Sequence, residues 1–230
     1  MYTTKVSLLV PTRDRPTFIR QLLRNIYLQN YPKHLMEIII ADDGKQPIGY
    51  LFNKDNISVD INNNDNGIND KIIYLRYDNP ISLGQKRQEL NDRATGDILI
   101  SMDDDDYYPP DRIKTAVDTL RNDDNIEFAY APTFYLYYPR RKQIFTTGPW
   151  YKNWPHATFA YTKNYANTHK YNLTDQYGEE RSFTDYYRVP YKILKAESTL
   201  VALVHTGNTI PKDDLGKRTP TLYNMSNFTN

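Results

Sequence analysis

Over the first 125 residues, short apolar runs of the kind that form buried strands alternate with segments whose apolar residues recur at helical spacing. Val6-Ser7-Leu8-Leu9-Val10 is a β-rich run stopped by Pro11. Asp14-Arg15-Pro16 then carries a capping residue and the early proline of a helix start. In the helix that follows, Phe18, Ile19, Leu22, Leu23, Ile26 and Tyr27 fall on one face, as a core-facing stripe does. Glu37-Ile38-Ile39-Ile40-Ala41 reads as a second strand, buried on both faces and ending at Asp42-Asp43-Gly44. Ile72-Ile73-Tyr74-Leu75 predicts a third. A helix over about Gln85 to Ala94, ended by Gly96, leads into a fourth strand from Asp97 to Met102. Ile113, Ala116, Val117 and Leu120 then stripe a helix that Asp111 can cap.

Residues 53–70 are dominated by asparagine and aspartate and supply no core layer, so they are expected to be an inserted surface loop. The alternation implies an α/β fold with a mostly parallel sheet covered by helices, in which ligands bind outside the carboxyl ends of the strands. Pro11-Thr12, Asp42-Asp43 and the run Asp103-Asp104-Asp105-Asp106 all fall at those ends. Beyond Ala131 the pattern changes. Thr133 to Tyr138 and Gln143 to Thr147, joined across Pro139-Arg140-Arg141, predict a hairpin, and the remainder is irregular without a core of its own.

The acid run changes the picture from architecture to chemistry. Four adjacent carboxylates repel unless solvent or a counter-charge intervenes. A hard divalent cation accepts carboxylate oxygens and can bridge them to a phosphate, whereas a solvated acidic turn is the plainer alternative. An EF-hand loop is excluded, because Tyr108 stands where that loop needs glycine and Lys114 where it needs a bidentate glutamate. Lysine plus arginine (29) nearly cancels aspartate plus glutamate (28), leaving +1 and no field to attract nucleic acid or an anionic membrane. The absence of cysteine removes disulfides, thiolate zinc sites and a cysteine nucleophile. With no window approaching 18 apolar residues and no leader-like start, the expectation is a soluble, cytoplasmic chain without a membrane span.

Several pieces, in order, resemble glycosyltransferase family 2, the inverting sugar transferases of the GT-A fold. Val6 to Thr12 with Arg13-Asp14-Arg15-Pro16 is similar to the family's opening strand and turn, and Ile38 to Gly44 to its strand ending in Asp-Asp-Gly. Ser82-Leu83-Gly84-Gln85-Lys86-Arg87, then Ala94-Thr95-Gly96-Asp97, then Met102 to Tyr108 resemble its Gly-x-Lys-Arg helix and Asp-x-Asp strand end. The resemblance implies a Rossmann-like GT-A domain over 1–230, with 1–125 binding the nucleotide sugar and 126–230 forming a smaller acceptor region and tail. It implies that Thr12 and Asp43 hold the base and ribose, that Asp103 and Asp105 are the Asp-x-Asp pair with Asp105 as direct metal ligand, and that Asp104 is a candidate for the ribose hydroxyls. Lys86 and Arg87 match positions near the diphosphate. Read without the family, the same two residues are a solvent-facing helix pair beside Glu89 or Asp92.

In the second half, Tyr177-Gly178-Glu179-Glu180-Arg181 resembles the family's Gly-Glu-Asp or Gly-Glu-Glu segment, whose second acid lies near the acceptor hydroxyl. Many members have aspartate where Glu180 stands, so either Glu179 or Glu180 is the candidate base. Two glutamates after a glycine are equally the first turn of a helix. His205 ends the apolar run Thr199 to Val204; it is either a polar strand cap or, by the resemblance, a residue completing a manganese or magnesium shell. Trp150 and Trp154 either stack on a sugar or close a core edge, while His34, His156 and His169 have no partner spacing. The implied activity is metal-dependent inverting transfer from a nucleotide-diphosphate sugar to a glycan or other hydroxyl acceptor. The rival classes are a non-catalytic nucleotide-sugar or glycan-binding protein and a nucleotidyltransferase. A last expectation is that His205 and the tail from Thr206, with Lys212, Lys217 and Arg218, close over a bound diphosphate.

Overall fold

The computed structural model describes residues 2–52, 71–121, 125–208 and 218–229. The insert expected over 53–70 lies outside them. Strand β1 (Val6–Thr12) pairs in parallel with β2 (Met36–Asp42) on one side and with β4 (Ile98–Ser101) on the other, and β3 (Ile72–Arg76) extends the sheet beyond β2. The strand order therefore reverses at β1, and the crevice between the ends of β1 and β4 is a topological switch point.

Three strands complete this sheet in the order β3-β2-β1-β4-β8-β5-β9: β5 (Phe128–Tyr130), β8 (Ala160–Thr162) and β9 (Lys192–Ile193). Strand β8 runs antiparallel between β4 and β5. The second half of the chain thus contributes three strands to the sheet built by the first. The expected hairpin forms as β6 (Phe134–Tyr138) and β7 (Gln143–Thr147), flanked by β10 (Val201–Leu203) and β11 (Arg218–Pro220) in a second sheet.

The period of two along the central strands feeds two core layers. Leu8, Val10, Ile38, Ile40, Ile98 and Ile100 pack with Ile19, Leu22 and Ile26 of α1 (Pro16–Tyr27) and with Ile113 and Val117 of α3 (Arg112–Arg121). On the opposite face Leu9, Ile39 and Leu99 meet Leu90 of α2 (Leu83–Arg93) and an aromatic group that includes Phe128, Trp154, Phe159 and Phe183. Two short helices, α4 (Lys163–Thr168) and α5 (Glu180–Phe183), border that aromatic layer. Among the described residues no helix is long and apolar enough to cross a membrane.

Several helix boundaries differ from those read in the sequence, each for a local reason. The N-cap of α1 is Arg15, not Asp14. Asp14 instead takes a left-handed φ of 55° and accepts the Lys45 N–H at 2.6 Å, pinning the loop after β2. Helix α2 starts two residues early because the Ser82 hydroxyl accepts the Gln85 N–H at 3.0 Å. Gly96 is not the terminator of that helix; it lies against β1, where a Cβ would come within 2.7 Å of the Ser7 nitrogen. Asp111 uses its carboxylate for Asn30 at 2.9 Å and caps α3 only through its carbonyl, which accepts the Thr115 N–H at 2.8 Å.

Candidate active site

Each of the four carboxylates after β4 has donors around it, and Arg15 is shared by Asp104 and Asp105. Asp103 meets the Arg87 guanidinium at 3.3 Å and keeps 32% of its side chain exposed. Asp104 is buried, with one oxygen taken by the Thr12 hydroxyl at 2.6 Å and the other by Arg15 at 2.9 Å. Asp105 Oδ2 has three donors around it: Arg15 at 3.1 Å, His205 Nε2 at 3.0 Å and Asn208 Nδ2 at 3.2 Å. Asp106 turns toward the second sheet and accepts the Leu203 N–H at 3.1 Å. Burial, only partly offset by Arg15 and Thr12, pushes Asp104 up to about 6. Arg15 itself is raised: burial opposes its charge, but Asp104 and Asp105 outweigh that.

The loop behind these acids is held by α1. Asn25 bonds both peptide groups of buried Tyr108, accepting its N–H at 2.8 Å and donating to its carbonyl at 2.7 Å, and Gln29 donates to the carbonyls of Tyr108 and Pro109. The Tyr108 hydroxyl in turn accepts the Asp103 N–H at 2.5 Å. Sequence reasoning gave no role to Arg15, Asn25, Gln29 or Asn208. The signal for two of them was available: Asn25 and Gln29 are one helical turn apart beside the apolar stripe.

Lys86 and Arg87 are buried, so the reading of a solvated pair with Glu89 or Asp92 does not hold. Lys86 Nζ bonds the Asp43 carboxylate and the Thr12 carbonyl, the latter at 3.1 Å; burial still pulls its pKa below the ordinary lysine value. The other Asp43 oxygen accepts the Ile81 N–H at 3.0 Å. Arg87 bridges the halves of the chain, donating from Nε to Glu179 Oε1 at 2.7 Å while facing Asp103. Burial opposes its charge, yet Asp103 and Glu179 prevail and raise it above its usual value. Glu179 is 3% exposed and raised by that burial, although Arg87 pulls it down. Glu180 is half-buried and accepts the Tyr187 hydroxyl at 2.8 Å. Trp154 is buried and stacked on Tyr130 with centroids 4.3 Å apart, which makes it a core residue, and Trp150 packs against the main core.

Among the described residues no three His, Asp or Glu side chains are grouped to cage a metal ion. Asp105 and His205 nonetheless fit a divalent cation that takes its other ligands from water or a substrate phosphate. Their donor atoms are 3.0 Å apart, about the spacing of neighbouring ligands around such an ion, and one or two protein ligands is the usual complement for a phosphate-bound cation. Gly207 N–H points at His205 Nδ1 at 3.1 Å, so Nε2 carries the proton that Asp105 accepts. Ligation through Nε2 requires the other tautomer, and hence opening of the 205–208 turn. Of the tail expected to close from Thr206, residues 209–217, with Lys212 and Lys217, lie outside the described residues, whereas Arg218 opens β11, pairs with Thr147 of β7 and donates to the Tyr138 hydroxyl.

The profile of Glycosyl transferase family 2 matches residues 7–184, which takes in Thr12, Arg15, Asp43, Lys86, Arg87, the acid run, Glu179 and Glu180 and stops short of Tyr187, Leu203, His205, Gly207 and Asn208. The chain belongs to glycosyltransferase family 2. Its fold is GT-A, like that of solved glycosyltransferases of low sequence identity. The mannosyltransferase PcManGT from Pyrobaculum calidifontis, solved with GDP-Man and Mn2+, superposes with a TM-score of 0.65 at 16% identity over 90% of this chain and 59% of that one. TarS 1-349 from S. aureus gives 0.59 at 15% identity, covering 87% of this chain and 60% of that 1-349 chain. Its UDP-GlcNAc complex gives 0.58 at 16% identity, with 89% and 60% covered. The family 2 chain thus spans about three-fifths of the length of these structures. No curated protein matches it significantly in sequence.

Proposed function

We propose that this family 2 chain is a metal-dependent inverting glycosyltransferase that moves a sugar from a nucleotide-diphosphate donor to an acceptor hydroxyl. The observation that carries the reading is the meeting of Asp105 and His205 at 3.0 Å beyond the switch point of the sheet, in a chain whose family acts on nucleotide sugars. Asp105 and His205 would hold Mn2+ or Mg2+, which when bound supplies positive charge for the departing diphosphate. Thr12, Asp43, Asp103 and Asp104 line the nucleoside end. Of these Asp103, the acid of that set with a third of its side chain open, is best able to accept ribose hydroxyls. Lys86 and Arg87 add fixed positive charge beside the diphosphate. Burial and the Arg87 ion pair argue against Glu179 as proton acceptor, leaving half-buried Glu180.

In this reading Glu180 removes the proton of the acceptor hydroxyl as its oxygen attacks the anomeric carbon from the face opposite the leaving group. The bond from that carbon to the diphosphate oxygen breaks, and its electron pair leaves with the nucleoside diphosphate. No covalent enzyme nucleophile takes part. The test is release of nucleoside diphosphate from a donor panel that includes GDP-mannose and UDP-GlcNAc, with manganese and with chelator. Asp105→Asn should remove the manganese-dependent release while leaving the folded state intact by circular dichroism. Full manganese-dependent activity in that variant would overturn the assignment of Asp105.

A further inference from the structure

Behind α5 the backbone takes a conformation that the sequence gives no reason to expect. Asp185, Tyr186 and Tyr187 have φ values of 44°, 54° and 65°, three consecutive left-handed residues, none of them glycine. Left-handed backbone is unfavourable for residues other than glycine, so the surroundings must hold the turn. They do so through buried Thr184, whose hydroxyl donates to the Glu180 carbonyl at 2.7 Å and accepts the Tyr187 N–H at 3.2 Å. Tyr186 N–H reaches the Arg181 carbonyl at 2.7 Å, and Arg188 N–H the Thr184 carbonyl at 3.1 Å. The left-handed turn doubles the chain back so that the Tyr187 phenol donates to Glu180 Oε1 at 2.8 Å. The Tyr187 ring rests 5.5 Å from the buried indole of Trp154, and its hydroxyl lies 3.4 Å from Oδ1 of Asn153, another left-handed residue. Burial, and then the bond to Glu180, raise the phenol above its ordinary value, so it stays a donor at working pH.

We propose that Tyr187 is a positioning residue for the base, its hydroxyl pinning Oε1 of Glu180 so that Oε2 is the oxygen left to take the acceptor's proton. This rests on the reading of Glu180 as base. The charged groups that face Glu180 are Glu179, itself paired with Arg87, and Arg181, which lies beside both Tyr187 and Glu180. A carboxylate that loses its donor swings about its own bond and also holds its proton more tightly, so removing the hydroxyl should affect both rate and pH dependence.

Tyr187→Phe keeps the ring and its contact with Trp154 and deletes only the hydroxyl. With manganese and GDP-mannose or UDP-GlcNAc, kcat should fall about 10- to 100-fold with donor KM changed less than about twofold, and the acid limb of kcat should move up by about 0.5–1 pH unit. In a Glu180→Gln background the same change should have no further effect. If Glu180→Gln is inactive while Tyr187→Phe matches the parent in kcat and acid limb, the positioning role falls and the base reading stands. If Glu180→Gln retains full activity, the base reading falls, and this proposal with it. A lower kcat in Tyr187→Phe with an unmoved acid limb would mark a merely structural tyrosine and also overturn the proposal.

Discussion

Removing the Arg87 guanidinium should destabilise the fold far more than removing Arg87 and Glu179 together. Arg87 and Glu179 are both nearly buried, at 7% and 5% side-chain exposure, and meet at 2.7 Å. Arg87→Met leaves the Glu179 carboxylate buried with no counter-charge, a situation that typically costs about 3–5 kcal/mol. Asp103, the other partner, is open enough for water to replace the lost contact. At an unfolding entropy of about 2.1 cal/mol/K per residue, a chain of 230 residues loses about 2 °C of Tm per kcal/mol, so the single variant should melt roughly 6–10 °C lower. Arg87→Met with Glu179→Leu replaces the pair with apolar volume and should recover most of that loss, while still lacking the guanidinium charge proposed to act on the diphosphate. Urea unfolding of the parent, both single variants and the double variant closes the cycle. A loss under about 1 kcal/mol in Arg87→Met, at unchanged m, would refute the claim that this pair ties the two halves of the chain together.

Two further outcomes follow from groups outside the reacting centre. Burial, then the nearby Arg87 charge, hold His156 well below its ordinary value, so it stays neutral in the folded chain and titrates near 6.5 when unfolded. Its contribution is present above that pH and lost as pH falls, at about 1.4 kcal/mol per pH unit. Asp104, raised to about 6, acts in the opposite direction: its contribution is present at low pH and lost as pH rises through about 6. His156→Gln should therefore lose up to about 2 kcal/mol less than the parent between pH 7 and pH 5, and parallel stability curves would contradict this. A Cβ on Gly84 would stand 2.0 Å from the Asn172 carbonyl oxygen. Gly84→Ala should thus cost about 1–3 kcal/mol and expose residues 172–175 to protease, although alanine favours helix; a raised Tm would show that the contact yields freely.

The fold was legible where the chain is long and apolar and illegible where pairing is distant and brief. Strands β1, β2 and β4 carry continuous aliphatic runs, and a run buried on both faces implies helices above and below it. Strands β8 and β9 are three and two residues long, too short to show any period. What makes them strands is the open edge of β4 and then of β5, a tertiary cause that no local pattern reports. Position 14 misled for a related reason: an aspartate before Arg-Pro has the chemistry of a cap, but the loop after β2 needed its carboxylate more, and Pro16 alone was enough to start the helix.

The acid run shows how far charge arithmetic goes on its own. Four adjacent carboxylates do require compensation, and that inference led to a cation. The structure answers the requirement residue by residue, with Arg87 for Asp103, Thr12 and Arg15 for Asp104, Arg15, His205 and Asn208 for Asp105, and a backbone amide for Asp106. Repulsion inside the run therefore does not by itself demand a metal. The argument for a cation passes to Asp105 and His205, where the neighbouring donor atoms are of types that suit it and the Arg15 and Asn208 contacts are ones a cation could displace. The same logic separates the two glutamates, which the sequence could not tell apart. Glu179 is committed to a buried guanidinium, and Glu180 has a neutral hydroxyl on one oxygen, the kind of partner that can fix a carboxylate in place without occupying it.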